Sequence, residues 1–193
     1  FPLEFPEEVM AEAKAIPEEI PLTEIHRRRD MREVLTFTID PADAKDFDDA
    51  ISLEHKGNGD LEIGVHIADV SHYVLPGTAL DKEAYKRSTS VYLVGRVLPM
   101  LPEKLSNVLC SLRPKEDKLA YSVVFTFDKN RKLKHRWIGR TVIHSDHRFS
   151  YEDAQEMLEG KPGPVKKEIK LVNSIAKELR KERFRTGSIN FST

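Results

Sequence analysis

Five aspartates crowd into ten residues, at positions 40, 43, 46, 48 and 49 of Thr38-Ile39-Asp40-Pro41-Ala42-Asp43-Ala44-Lys45-Asp46-Phe47-Asp48-Asp49-Ala50, and this run limits what the chain can build. Carboxylates in contact raise one another's pKa values or demand a cation. Such a run belongs at the ends of structural elements, where solvent or a metal can reach it. Its flanks agree. Val34 to Ile39 alternates and is rich in β-branched residues, and Ala50 to Glu54 is a second apolar run; both read as strands. If the stretch between them is extended, Asp46 and Asp48 point one way and Asp49 the other. A turn over Pro41 to Lys45 then brings Asp40 back beside them. A hard divalent ion suits this set, because magnesium takes oxygen ligands and keeps several waters. One or two metals can be held with positions left for water and phosphate. A calcium loop is excluded. Counted from Asp40, the EF-hand spacing puts Lys45 where glycine is required and Ile51 where glutamate is required. The plain alternative is a solvated acidic loop without a ligand.

The remaining chain reads as α+β, strand-rich and then helical. Residues 1–33 form a helical approach segment, or linker, ahead of a domain over 34–193. Pro6 starts its helix, Pro17 and Pro21 break it, and Arg27-Arg28-Arg29 is a short basic run. Gly57-Asn58-Gly59-Asp60 is a hairpin turn leading into a strand over Leu61 to Ala68. Residues 80–88 are helical. Pro102 suits the start of a helix through Leu109. Leu119 to Phe127 and Leu133 to Ile143 are two strands joined at Asp128-Lys129-Asn130. Ser150 and Asp153 make a capping-box-like pair for a helix over Tyr151 to Leu158. The longest helix runs from Val165 to Phe184, with Ile169, Val172, Ile175, Ala176 and Leu179 on one face.

Composition narrows the class. At 193 residues the chain is one good-sized domain or the larger part of a bigger one. With 39% hydrophobic and 33% charged residues it is polar but not disordered. No apolar run approaches the roughly 20 residues that span a bilayer. The single cysteine, Cys110, lies among apolar neighbours and reads as a buried thiol; an intracellular, cytoplasmic setting fits. The net charge of −1 conceals an asymmetry: residues 1–60 hold 16 of the 32 acidic residues but only 7 of the 31 basic ones. An anionic front and a cationic rear suit an enzyme acting on a polyanion, or an ordinary mixed surface.

Thr38-Ile39-Asp40 with Asp46-Phe47-Asp48-Asp49-Ala50 resembles the signature of the ribonuclease II / ribonuclease R exoribonucleases, whose catalytic domain is called RNB. His66-Ile67-Ala68-Asp69-Val70-Ser71-His72-Tyr73-Val74 is similar to the segment that follows in ribonuclease R-type members. Ser90-Val91-Tyr92-Leu93, Pro99-Met100-Leu101-Pro102 and Arg185-Thr186-Gly187-Ser188-Ile189-Asn190-Phe191 continue the resemblance in order. It implies a mixed or antiparallel sheet with packed helices. It also implies a processive, magnesium-dependent hydrolase, with manganese as a substitute, that degrades single-stranded RNA from its 3′ end to nucleoside 5′-monophosphates. Asp40, Asp46, Asp48 and Asp49 match the family's four site aspartates. Asp40 and Asp49 are the direct metal ligands expected, Asp46 a ligand to metal or its water, and Asp48 the most sensitive position for chemistry. Asp43 matches none and reads as a turn residue.

Tyr92, a core strand tyrosine on its residues alone, matches the aromatic that stacks on a base near the 3′ end. Phe191 is a second face of that clamp, or core packing. Stacking of this kind tolerates any sequence. His66, His72, His144 and His147 read as structural, since magnesium prefers oxygen. Arg180, Lys181, Arg183 and Arg185 contact phosphates or form a solvated helix end. The family's catalytic domain is longer than this chain and is usually flanked by cold-shock and S1 domains, so an incomplete site is expected. The alternative is a non-catalytic RNA-binding or scaffolding RNB domain.

Overall fold

Three long strands carry the architecture: β4 (Leu61–Ala68), β7 (Asp117–Phe127) and β8 (Leu133–His144), paired antiparallel side by side. The computed structural model describes residues 3–189. Around the three strands stand β1 (Arg29–Met31), β2 (Thr36–Asp40), β3 (Asp49–His55) and β9 (His147–Ser150), in the order β1-β8-β7-β4-β3-β2-β9. β1 joins β8 in parallel, so the sheet is mixed. The helices are α1 (Glu7–Ala15), α2 (Leu22–Ile25), α3 (Val70–Tyr73), α4 (Ala79–Arg87), α5 (Tyr151–Glu159) and α6 (Lys166–Arg185). A small hairpin, β5 (Val91–Leu93) with β6 (Arg96–Leu98), stands apart from the main sheet. The expected α+β class with a mixed sheet is therefore found.

Contacts divide the chain into two compact units, Phe1–Arg148 and Phe149–Thr193. In the first, the sheet has two unlike faces. Ala50, Ala68, Ala120 and Val124 lie on one face and share a core with Val9, Ala13, Leu80, Ala84, Leu105 and Leu109 of the helical segments. The small sheet residues let the helices come close. On the other face the register lines up Ile67 with Tyr121 and Val65 with Val123, which in turn faces Ile138. Val65, Ile67, Tyr121 and Ile138 are exposed there.

The approach segment is bound to this body. Lys104 Nζ donates to the carbonyls of Lys14 and Ile16 and so closes the C-terminal end of α1. Arg87 stacks over Phe5, donates to the Glu4 carbonyl and pairs with Glu83. The basic run is not a solvated patch. Arg28 is buried and pairs with buried Asp69 at 2.8 Å, while its Nε donates to Glu24. The same Nη1 that pairs with Asp69 also faces the Ala120 and Thr141 carbonyls, and Nη2 faces His72 Nδ1. Between residues 102 and 109 the chain forms a π-helical turn, Lys104–Leu109, in place of an ordinary helix; Pro102 starts it by accepting from the amides of Leu105 and Ser106.

One polar network crosses the core. His66 is fully buried, with Nδ1 2.7 Å from Ser122 Oγ and Nε2 2.8 Å from Ser52 Oγ; Ser122 Oγ meets Thr141 Oγ1 at 2.6 Å. Four strands are linked through one imidazole. Gly64 makes the room, since a Cβ there would stand 2.4 Å from Ser52 Oγ and 2.5 Å from His66 Nε2. Burial, with Arg29 adding to it, takes the His66 pKa down to about 4. The unfolded chain, with an ordinary pKa of about 6.5, binds the extra proton between those values. Stability is therefore complete above about pH 6.5 and falls by about 3 kcal/mol as the pH drops to about 4. Urea titrations of the parent and His66→Gln across that window test this. A parent slope no steeper than the variant's would remove His66 from the account.

In the second unit, α5 starts with the expected capping box. Ser150 Oγ accepts from the Asp153 amide and Asp153 Oδ2 accepts from the Ser150 amide, each at 3.0 Å. α5 packs on α6, and Ala154, Met157, Ile169 and Ile175 are buried. Among the described residues no helix is long and apolar enough to cross a membrane.

Candidate metal centre

The aspartate run occupies the connection between β2 and β3, as its composition requires. Asp40 ends β2 and Asp49 begins β3. The Ala44 amide donates to the Pro41 carbonyl, which makes the turn that folds the loop back. Beyond it residues 44–48 belong to no helix or strand until β3 begins at Asp49. Phe47 is buried, Asp46 and Asp48 flank it on the open side, and Asp49 begins the next alternation. Phe47 is the apolar anchor that holds two carboxylates out.

The loop is fixed from outside by two side chains. Ser111 is fully buried; its Oγ accepts from the Phe47 amide at 3.0 Å and donates to the Lys45 carbonyl at 2.9 Å. The Leu112 amide donates to the Phe47 carbonyl beside it. Arg148 Nη2 donates to the carbonyls of Pro41 and Ala42 at 2.7 and 2.8 Å, and its guanidinium lies over the Phe47 ring. Neither residue carries a local sequence signal, because both act on loop atoms far away along the chain.

The four matching aspartates lie within one another's fields. Asp40 is 7% exposed, and its Oδ2 is buried without a hydrogen-bond partner. Burial pushes its carboxyl above the ordinary range, and Asp49 and Asp46 push the same way against Thr38 and Arg148. Asp48 is raised too, by desolvation first and then by Asp46, Asp49 and Asp40. Among the described residues no group of three or more acidic, His or Cys side chains is gathered closely enough to hold a metal ion as it stands. The donors nevertheless fit a hard divalent cation in kind: all are carboxylate oxygens, one is buried and unpartnered, and a positive charge would relieve all four. Asp43 is exposed in the turn, as expected.

Tyr92 stands over this loop. It is 67% exposed on the β5–β6 hairpin, so the core-strand reading of its residues does not hold. Its hydroxyl donates to Asp46 Oδ2 at 3.2 Å. Burial and the Asp46 charge raise the phenol pKa, which keeps it a donor. The arrangement offers carboxylates for a cation beside an open aromatic face. Phe191 lies outside the described residues.

The histidines stand elsewhere. His66 belongs to the core network, His72 to the Arg28–Asp69 cluster, and His144 Nδ1 lies 2.9 Å from Asp117. Cys110 is buried and its thiol is pushed up to about 12, first by burial and then by Asp48. At the end of α6, Arg185 pairs with Glu182 and Arg180 lies over the Phe184 ring.

Comparison with known proteins places these features. The model of the RNB domain matches residues 28–193. The chain is 48% identical to "Ribonuclease R" of Aquifex aeolicus over 197 residues, covering 99% of this chain and 28% of that protein. The fold is similar to Mycoplasma genitalium RNase R in complex with ribose methylated single-stranded RNA, with a TM-score of 0.84, 31% identity, and coverage of 99% of this chain and 30% of that one. It is also similar to yeast Ssd1, described as a pseudonuclease, with a TM-score of 0.76, 25% identity, and coverage of 86% of this chain and 21% of that one. The chain thus spans less than a third of the length of each of these relatives.

Proposed function

Because the chain belongs to the RNB domain family, with ribonuclease R proteins among its relatives, we propose that it supplies the aspartate site of a processive 3′→5′ exoribonuclease. The observation that carries this reading is the buried, unpartnered Asp40 Oδ2 within the field of three further carboxylates. Asp40 and Asp49 hold a divalent cation directly, and Asp46 holds it directly or through water. Magnesium, or manganese in its place, supplies when bound the Lewis acidity that polarises the scissile phosphate and activates water. Asp48 is the carboxylate on which the chemistry depends most. Phe47, packed into the core, holds Asp46 and Asp48 toward the substrate side. Tyr92 swings its ring against a base near the RNA 3′ end, where stacking is worth about 1–3 kcal/mol without regard to sequence. Ribose 2′-hydroxyls then separate RNA from DNA. The buried thiol of Cys110 fits action in the reducing cytoplasm.

The test is digestion of a 5′-labelled single-stranded RNA by the natural full-length protein with Mg²⁺. The expected result is a ladder shortening from the 3′ end, stopped by EDTA and restored by added Mg²⁺ or Mn²⁺. The likeness to Ssd1 favours a second reading, an RNA-binding domain that does not cut. RNA bound with salt-dependent affinity but left intact in Mg²⁺ would establish that reading and end the first.

A further inference from the structure

A cation site made from one loop is only as good as the loop's geometry. Four like charges tend to drive this loop apart. Two side chains oppose that, and neither is itself an acidic donor. Ser111 uses its single hydroxyl twice, once as acceptor for the Phe47 amide and once as donor to the Lys45 carbonyl. These two backbone groups bracket Asp46, so its direction is set by Ser111. The serine is fully buried and has no room to turn elsewhere. Arg148 holds the other end of the loop. It takes the two carbonyls that follow Asp40 and places its positive charge in the Asp40 field without bonding the Oδ2 atom, which stays unpartnered.

We propose that Ser111 and Arg148 are positioning residues of the aspartate site, one fixing the Asp46–Asp48 arm and the other the Asp40 turn, so that the loop backbone is held while a divalent cation draws the carboxylates in. The inference rests on the reading of this loop as a cation site. Partners that orient metal ligands are worth about 10- to 100-fold in affinity or activity when removed. Ser111→Ala deletes both hydrogen bonds with little change of volume. Arg148→Met deletes the clasp and the charge but keeps the length, and Arg148→Lys restores the charge and a donor.

The experiment measures Mn²⁺ binding by electron paramagnetic resonance, together with kcat and KM on single-stranded RNA, in the natural full-length protein. Thermal midpoints within a few degrees of the parent qualify a variant. Ser111→Ala and Arg148→Met are expected to bind Mn²⁺ about 10- to 100-fold more weakly and to lose kcat by a similar factor. KM for RNA should stay within about twofold, because the strand is held by other groups, and Arg148→Lys should recover part of both losses. Parent-like Mn²⁺ affinity and kcat in both Ser111→Ala and Arg148→Met would overturn the proposal. An Asp40→Asn control separates the two levels. If it abolishes Mn²⁺ binding while these variants do not change it, the positioning inference alone fails. If it too binds Mn²⁺ like the parent, the cation site fails.

Discussion

Asp48→Asn is expected to remove RNA cleavage while leaving RNA binding and folding intact, with a loss well beyond the roughly 100-fold that marks residues only orienting a metal ligand. The argument starts from charge. Asp48 lies among Asp40, Asp46 and Asp49, and its carboxyl is raised by desolvation and by all three. Asparagine keeps the size and removes one negative charge, so repulsion in the loop falls. The thermal midpoint should therefore hold or rise. What disappears, on the proposed function, is an anionic oxygen at the place where charge would be neutralised and a proton managed. Binding of a 5′-labelled RNA, cleavage of the same RNA, and a melting curve together decide the matter. Cleavage within about tenfold of the parent would mean that Asp48 is a bystander, and the chemistry would have to be assigned to other members of the cluster.

The second large effect concerns stability. Asp69→Ala is expected to cost up to about 3–5 kcal/mol, because it takes the buried carboxylate from the Nη1 side of buried Arg28 and leaves only Glu24 at Nε. That is a large fraction of the roughly 5–15 kcal/mol that holds a domain together. Burial alone would raise the Asp69 pKa, but hydrogen bonds from Ser71 and Arg28, with the charges of Arg28 and Arg140, hold it below the ordinary value. With a lowered folded pKa, the pair's contribution is present above the unfolded value of about 3.9 and is lost as the pH falls through the lower folded value. Urea unfolding at pH 7 measures the cost. Replacing both partners with apolar residues, Arg28→Met with Asp69→Leu, should recover much of it, since an emptied charge pair is less harmful than half of one. A single-variant loss under about 1 kcal/mol would show that Glu24 or water satisfies Arg28 unaided.

What could be read from the chain in advance was what is local. Leu61–Ala68 was fully visible because a glycine-rich turn and strict alternation lie next to each other. The Ser150–Asp153 capping box is a four-residue signal, and four residues suffice to make it. The aspartates announced themselves for the same reason. The short parallel strand Arg29–Met31 did not, because two of its three residues are charged or polar and its existence depends on the edge of β8. Nothing in the basic run marked Arg28 as buried, because its partner Asp69 lies 41 residues on, between β4 and α3. The π-helical turn has no periodicity to detect over six residues. Tyr92 shows both limits: its apolar neighbours suggested a core strand, and only the hairpin's position apart from the main sheet leaves the ring exposed. Ser111 and Arg148 carried no signal, since a buried serine and a strand arginine are ordinary until their distant acceptors are known.

The separations involved also set an order in time. The hairpins β3–β4 and β7–β8 each close over a few residues, through Lys56 with Asp60 and Asp128 with Lys132. The aspartate loop is pinned only when Ser111 reaches Phe47 across 64 residues and Arg148 reaches Pro41 across 107. Loop-closure entropy favours the short connections first, and long-range contacts are slow to gain. A chain emerging from synthesis is therefore expected to have these two hairpins before it has its site. The four carboxylates are neighbours along the chain from the start; what arrives late is the pair of side chains that fixes their directions, and until then water screens their mutual repulsion.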